Sequence, residues 1–181
     1  GLAENFTKTF EAGGGSIVAQ EAYVAGDKDF NSIITSIKGQ EFDVIFIPGY
    51  YDEAGLIIKQ ARSQGIDVPV LGADGFDSPV LLEKAGAEAL NKVYFSNHYS
   101  SLDESQVVQD FIKNFKEKYN KDPDAFNALG YDAAMFVADG IRRAENLKGE
   151  SLKKALEETA DFEGVTGTFS IDENHNVVKK L

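Results

Sequence analysis

Two short stretches carry side chains able to hold a small charged ligand. In FIPGYYDEAG, residues 46 to 55, an apolar run stops at Pro48-Gly49, and two rings, Tyr50 and Tyr51, follow where Asp52 and Glu53 are ready to open a helix. In LGADGF, residues 71 to 76, Asp74 stands among glycines and Phe76 follows. Aromatic faces beside one carboxylate suit an ammonium group attached to an apolar body. A cation over a tyrosine ring contributes roughly 0.5–2 kcal/mol, and a charge-assisted hydrogen bond to a carboxylate roughly 1.5–3 kcal/mol. Each residue also has a plainer role: Asp74 suits a turn, and Tyr50 or Tyr51 suits cover for a helix start. It is the set that argues for a site.

Catalytic chemistry finds little support. His98 and His175 are the only histidines; His98 suits a hydrogen-bonded wall residue after a strand, and His175 a turn. There is no G-x-S-x-G elbow, no H-E-x-x-H, no phosphate loop ending in Gly-Lys-Ser/Thr and no G-x-G-x-x-G after a strand, so no enzyme is expected. Asp172, Asn174 and Asn176 match the first oxygens of a calcium loop, but Val177 occupies the position that needs glycine for the sharp turn. With no cysteine there is neither a disulfide nor a thiolate zinc site, and no metal or cofactor is expected. The sequon Asn5-Phe6-Thr7 falls within a helical pattern and reads as a chance match.

Composition narrows the partners. The chain has 181 residues, 43% hydrophobic and 27% charged, enough for one sizeable core or two small ones. Its net charge of −12 repels phosphate backbones and anionic lipid, which makes nucleic acid and membrane surfaces poor partners. No stretch approaches the roughly 18 apolar residues a membrane crossing needs.

The elements that must position the two turns follow from periodicity. The chain opens with a helix carrying Leu2, Phe6 and Phe10 on one face, which reads as the middle of something larger. SIVAQEAYV predicts a strand, and Asp29 predicts the cap of a helix bearing Phe30, Ile33, Ile34 and Ile37. FDVIFIP predicts a strand covered on both faces, followed by a helix from Asp52 to about Gln64 that ends at Gly65. VPVLGA predicts the next strand, Ser78-Pro79 opens a helix ending near Ala85-Gly86, and VYFSNHY predicts another strand. Alternation with short links implies a parallel sheet with right-handed crossovers. Ligands bind beyond the carboxyl ends of such strands, which brings Tyr50, Tyr51, Asp74 and Phe76 to one rim, with His98 and Tyr99 after a third strand.

The rhythm changes near residues 96 to 101. Asp103 and Gln106 stand at capping-box spacing before a helix with Val107, Phe111 and Phe115 on its apolar face. A long helix through FNALGYDAAMFVADGIRRA follows, Ser151 predicts the cap of another, and GVTGTFSIDENHNVVKK predicts a hairpin turning at Asn174-His175-Asn176.

The runs FDVIFIPGYYDEAGLIIKQARSQGI, VLGADGF, KYNKDPDAFNALGYDAAMFVADGIRRA and DFEGVTGTFSIDENHNVV resemble the branched-chain amino acid binding proteins that feed ABC importers, of leucine/isoleucine/valine-binding type, on the type I periplasmic-binding fold. The resemblance implies an α/β fold: a Rossmann-like parallel-sheet lobe plus a mainly helical return segment of the other lobe, in an incomplete bilobed protein. It makes residues 1–96 most of the second lobe, without its first strand, and 97–181 the return segment of the first. It implies that Tyr50 lines the cleft, that Asp74 takes the ligand's α-ammonium where some relatives carry glutamate, and that Phe126 approaches the ligand; Tyr51 and Phe76 join them from the rim. The implied function is non-catalytic, extracytoplasmic capture of an amino acid, branched-chain or aliphatic, between two lobes for delivery to an ABC permease. The alternative within the fold is the sensing domain of a receptor or lactose-repressor-type regulator. A sheet without its first strand also exposes a pairing edge, so self-association is expected of the chain alone.

Overall fold

The computed structural model describes residues 1–179, and Lys180 and Leu181 lie outside the described residues. The chain separates into two compact units, one running from Gly1 to Ser96 and the other beginning at Asn97.

The first unit holds a three-stranded parallel sheet: β1 (Ile45–Ile47), β2 (Val70–Gly72) and β3 (Val93–Phe95), with β2 in the centre. Helices α1 (Leu2–Ala12), α2 (Asn31–Lys38), α3 (Tyr51–Ser63) and α4 (Pro79–Ala85) accompany it, and a single 3-10 turn spans Asp74–Phe76. The register pairs Ile45, Phe46 and Ile47 with Val70, Leu71 and Gly72, and these with Val93, Tyr94 and Phe95. All three strands therefore end at one level. The core joins Ile47 and Val70 of the sheet to Ile34 of α2, Ala54, Ile57, Ile58 and Ala61 of α3, and Leu81 of α4, closed by Phe30 and Phe76. Helices α3 and α4 come so close at Gly55 that a Cβ there would lie 2.7 Å from Lys84 Cβ and 3.2 Å from the Leu81 carbonyl oxygen.

The helix ends follow their local chemistry. Ser78 accepts from Val80 N with Pro79 at the first helical position. Gly65 (φ 84) and Gly86 (φ 81) take the left-handed region after α3 and α4, which costs glycine nothing. The Arg62 guanidinium donates to the carbonyls of Ile66, Val68, Ala89 and Asn91, tying the end of α3 to the chain that enters β2 and β3.

Two expectations for this unit change. Residues 16–24 form no strand; residues 15–30 carry no helix or strand at all. A strand exists only through its ladder, and here side chains of α3 hold the loop instead. Glu53 accepts from Gly26 N at 2.7 Å, and Gln60 both accepts from Phe30 N and donates to the Lys28 carbonyl. Helix α2 begins one residue later than a cap at Asp29 implies: Phe30 is the N-cap residue, and the Asp29 carboxylate accepts from the backbone and side-chain amides of Asn31.

The second unit contains α5 (Gln106–Tyr119), α6 (Ala125–Arg143) and α7 (Gly149–Glu157), with an antiparallel sheet of β4 (Phe162–Gly164), β5 (Gly167–Ile171) and β6 (Val177–Lys179) in that order. Asp124 and Asn127 form a capping box at the start of α6. Three expectations shift here. Ser105, not Asp103, is the N-cap residue of α5, because Asp103 turns its carboxylate to Ser105 N. The buried stripe of α5 is Val108, Phe111, Ile112 and Phe115, so Val107, one residue off the period, faces solvent. Ser151 lies inside α7, which starts at Gly149, and its hydroxyl accepts from Asn146 N.

The buried Asp132 joins α6 to the sheet. Its carboxylate accepts from Val165 N (2.7 Å), Thr166 N (2.8 Å) and the Thr166 hydroxyl (2.7 Å). The Lys179 ammonium donates to that same hydroxyl, and its burial pushes its pKa down while the Asp132 charge opposes the shift. Replacing Asp132 with alanine strands three buried donors at about 1–3 kcal/mol each, so we expect urea unfolding to show a loss of at least about 3 kcal/mol.

At the β5–β6 turn, the N–H groups of Asn176 and Asn174 bind the Asp172 carboxylate and hold its pKa below the usual value, Asn176 contributing most. The contribution to stability is present above the unfolded carboxylate value of about 3.9 and is lost as pH falls through the lowered folded value. The Asn174 and Asn176 amide resonances should therefore titrate together below about pH 3.9, and a midpoint at or above that value would contradict the assignment.

Candidate functional site

Strand β1 stops at Ile47 because Pro48 has no N–H to continue the ladder. Tyr50 then caps α3 in an extended conformation (φ −99, ψ 163), and Tyr51 is the first residue of that helix. Asp52 and Glu53 lie in its first turn, where their charge complements the helix dipole. Strand β2 stops at Gly72, Ala73 is extended, and Asp74 opens the 3-10 turn. Because Ile47 and Gly72 are register partners in a parallel pair, both turns leave the same edge of the sheet.

The two turns also touch. A Cβ built on Gly75 would lie 2.5 Å from the Gly49 carbonyl oxygen and 3.2 Å from Tyr50 Cδ1, so the backbones meet with no space for a side chain. This contact fixes how far the Tyr50 turn stands from the Asp74 turn. Tyr50 is 63% exposed, Asp74 is half-buried, and Tyr51 packs partly against the core.

Phe76 departs from the expected rim. Its ring is 1% exposed, lies over Gly72, where a Cβ would be 2.5 Å away, and sits 6.1 Å from the Phe95 ring. It forms part of the core that supports the Asp74 turn. His98 and Tyr99 follow β3 in the chain and lie at the start of the second unit. Tyr99 is buried there, edge-on to Phe111 at 6.2 Å, in the core of that unit. Phe126, half-buried, lies in the first turn of α6.

Two residues near the turns were not anticipated. Tyr23, in the irregular segment, directs its hydroxyl at Gly49, where a Cβ would lie 2.0 Å from it. Burial raises the Tyr23 pKa, and the nearby Glu53 charge raises it further. Phe95, the register partner of Gly72, ends β3 at the same edge and is 41% exposed. Strand register could have revealed Phe95, whereas no periodicity marks Tyr23.

Among the described residues no group of three or more His, Cys, Asp or Glu is placed to hold a metal ion, and no helix is long and apolar enough to cross a membrane. The Asp172 carboxylate, first oxygen of the calcium-like pattern, is taken by its own turn. His175 occupies that turn (φ 63), and its Nε2 lies 2.6 Å from Glu157 Oε1.

Adjoining loops at the carboxyl edge of a parallel sheet, one carrying the exposed Tyr50 ring and the other the half-buried Asp74, stand where α/β units commonly receive small ligands. The chain belongs to the periplasmic binding protein family, whose model matches residues 1–181, and its fold is that of the type I members. It is 30% identical over 174 residues to the leucine-, isoleucine-, valine-, threonine- and alanine-binding protein of Pseudomonas aeruginosa, covering 96% of this chain and 46% of that protein. Among solved structures it resembles the branched-chain amino acid transporter substrate-binding protein LivJ of Streptococcus pneumoniae in complex with isoleucine (42% identity, TM-score 0.85, 98% of this chain and 50% of that one). It also resembles the leucine-binding protein LivK of Thermotoga maritima (37% identity, TM-score 0.90, 99% and 51%). The chain thus spans about half the length of these relatives.

The position of Phe76 has a measurable consequence. Replacing it with alanine should cost about 3–5 kcal/mol of stability in denaturant unfolding, the value for emptying a packed core site, where a rim ring would cost far less.

Proposed function

We propose that this chain is part of an extracytoplasmic solute-binding protein that captures an amino acid, branched-chain or otherwise aliphatic, and delivers it to an ABC permease without chemical conversion. The observation that carries this reading is the backbone contact between the Tyr50 and Asp74 turns at one sheet edge. The amino acids for which the similar proteins are named supply the ligand class. Asp74 is proposed to accept the α-ammonium group and Tyr50 to place its ring against it; Tyr51 and Phe126 are proposed as further ligand-lining rings. Phe76 is left out because its ring is spent on the core. Residues 1–96 are assigned to the second lobe and 97–181 to the return segment of the first.

An aspartate reaches one methylene less far than a glutamate, so an ammonium bound by Asp74 sits closer to the 3-10 turn. The experiment is calorimetry with leucine, isoleucine and valine on the full-length protein. Replacing Asp74 with alanine should weaken binding more than about tenfold, since a charge-assisted hydrogen bond is worth roughly 1.5–3 kcal/mol. An unchanged dissociation constant would remove Asp74 from the site.

The isolated chain is proposed to self-associate through the sheet edge. Strand β1 pairs with β2 on one side, and among the described residues no strand pairs with its other side. An edge of this kind is a template for a second copy. Light scattering of the isolated chain should show a mass that rises with concentration, and a monomer at high concentration would contradict the proposal.

A further inference from the structure

We propose that Gly75 and Tyr23 are positioning residues for ligand amine recognition, because together they clamp Gly49 and so set the distance between the Tyr50 ring and the Asp74 carboxylate. The proposal rests on the ligand reading above. Gly49 is held from two directions. Its carbonyl oxygen would stand 2.5 Å from a Cβ on Gly75, and a Cβ on Gly49 itself would stand 2.0 Å from the Tyr23 hydroxyl. Neither contact leaves room for a methyl group, and at Gly75 the obstacle is backbone, which cannot rotate aside as a side chain can.

The clamp has supports on both sides. Tyr23 is wedged edge-on against the buried Phe30 ring, with centroids 5.6 Å apart, and its segment is tied to α3 by the Glu53 carboxylate at Gly26 N. On the other side, Phe76 fills the core over Gly72 and anchors the 3-10 turn that carries both Asp74 and Gly75. The Tyr50 turn therefore lies between two braced elements, its Tyr50 Cδ1 itself 3.2 Å from the Gly75 Cβ position. A methyl group at position 75 must push the two turns apart by a substantial fraction of an ångström. Misplacement on that scale is enough to lose a directional contact to a bound ammonium.

A positioning role and a merely structural one separate by ligand chemistry. Leucine and its α-hydroxy analogue, 2-hydroxy-4-methylpentanoate, share the isobutyl group and the carboxylate and differ at the group that Asp74 and Tyr50 are read to hold. Titration of the full-length protein with both ligands gives a leucine preference, the ratio of the two dissociation constants. In Gly75→Ala the preference should fall by about tenfold or more toward the value for Asp74→Ala, with the hydroxy acid's affinity nearly unchanged. Tyr23→Phe removes only the hydroxyl, keeps the ring on Phe30, and should lower the preference severalfold in the same direction; it decides the matter if Gly75→Ala does not fold. Equal weakening of both ligands, or an unchanged preference in both variants, would overturn the positioning role. If the wild-type protein shows no leucine preference, or Asp74→Ala keeps it, the ligand reading fails and this inference with it. If Asp74→Ala loses the preference while Gly75→Ala and Tyr23→Phe keep it, only this inference fails.

Discussion

The constraint on which the first unit depends is the meeting of two main chains just beyond a parallel strand pair. Parallel pairing of β1 with β2 in the observed register brings two loops to one edge, but it does not decide how far apart they stand. The approach of Gly75 to the Gly49 carbonyl decides it. With no side chain between them the two loops, which carry Tyr50 and Asp74, share one surface. A side chain at position 75 would have to push the two turns apart.

The rest of the unit is held largely by side-chain bonds to the main chain. Arg62 spends its donors on four carbonyls, and Gln60 satisfies both a donor and an acceptor of the incoming loop. These bonds settle backbone groups that would otherwise be costly to bury. The ion pairs Lys84–Asp52 and Lys92–Asp67 lie in solvent and add little beyond them. In the second unit, one buried carboxylate does comparable service: Asp132 gathers the amides of the β4–β5 turn onto α6, and Gly164 leaves room for it, since a Cβ there would lie 2.5 Å from Asp132 Oδ2.

Where sequence reasoning went astray, a tertiary partner had overruled a local pattern. Residues 16–24 have strand-like composition, yet their segment is held by α3 side chains and by the packing of Tyr23 on Phe30. Phe76 sits in a glycine-rich turn, where a ring looks exposed, but the neighbouring glycine at 72 makes the hollow that it fills. Val107 and Val108 are indistinguishable by composition, and the phase of α5 alone puts the second inward. Asp132 gave no signal at all, because a carboxylate in a small-residue helix reads as a solvated position until the turn 33 residues later folds onto it.

From sequence alone came the alternation of β1, α3, β2, α4 and β3 and the position of the two turns that follow β1 and β2. These follow from periodicity, from proline and glycine as chain punctuation, and from helix caps, all of them local properties. Only the tertiary structure decided which rings face outward, which loop lacks a ladder, and that the Tyr50 and Asp74 turns are in contact. Those outcomes depend on atoms distant in the chain excluding one another from the same space, and no window of neighbouring residues contains that information.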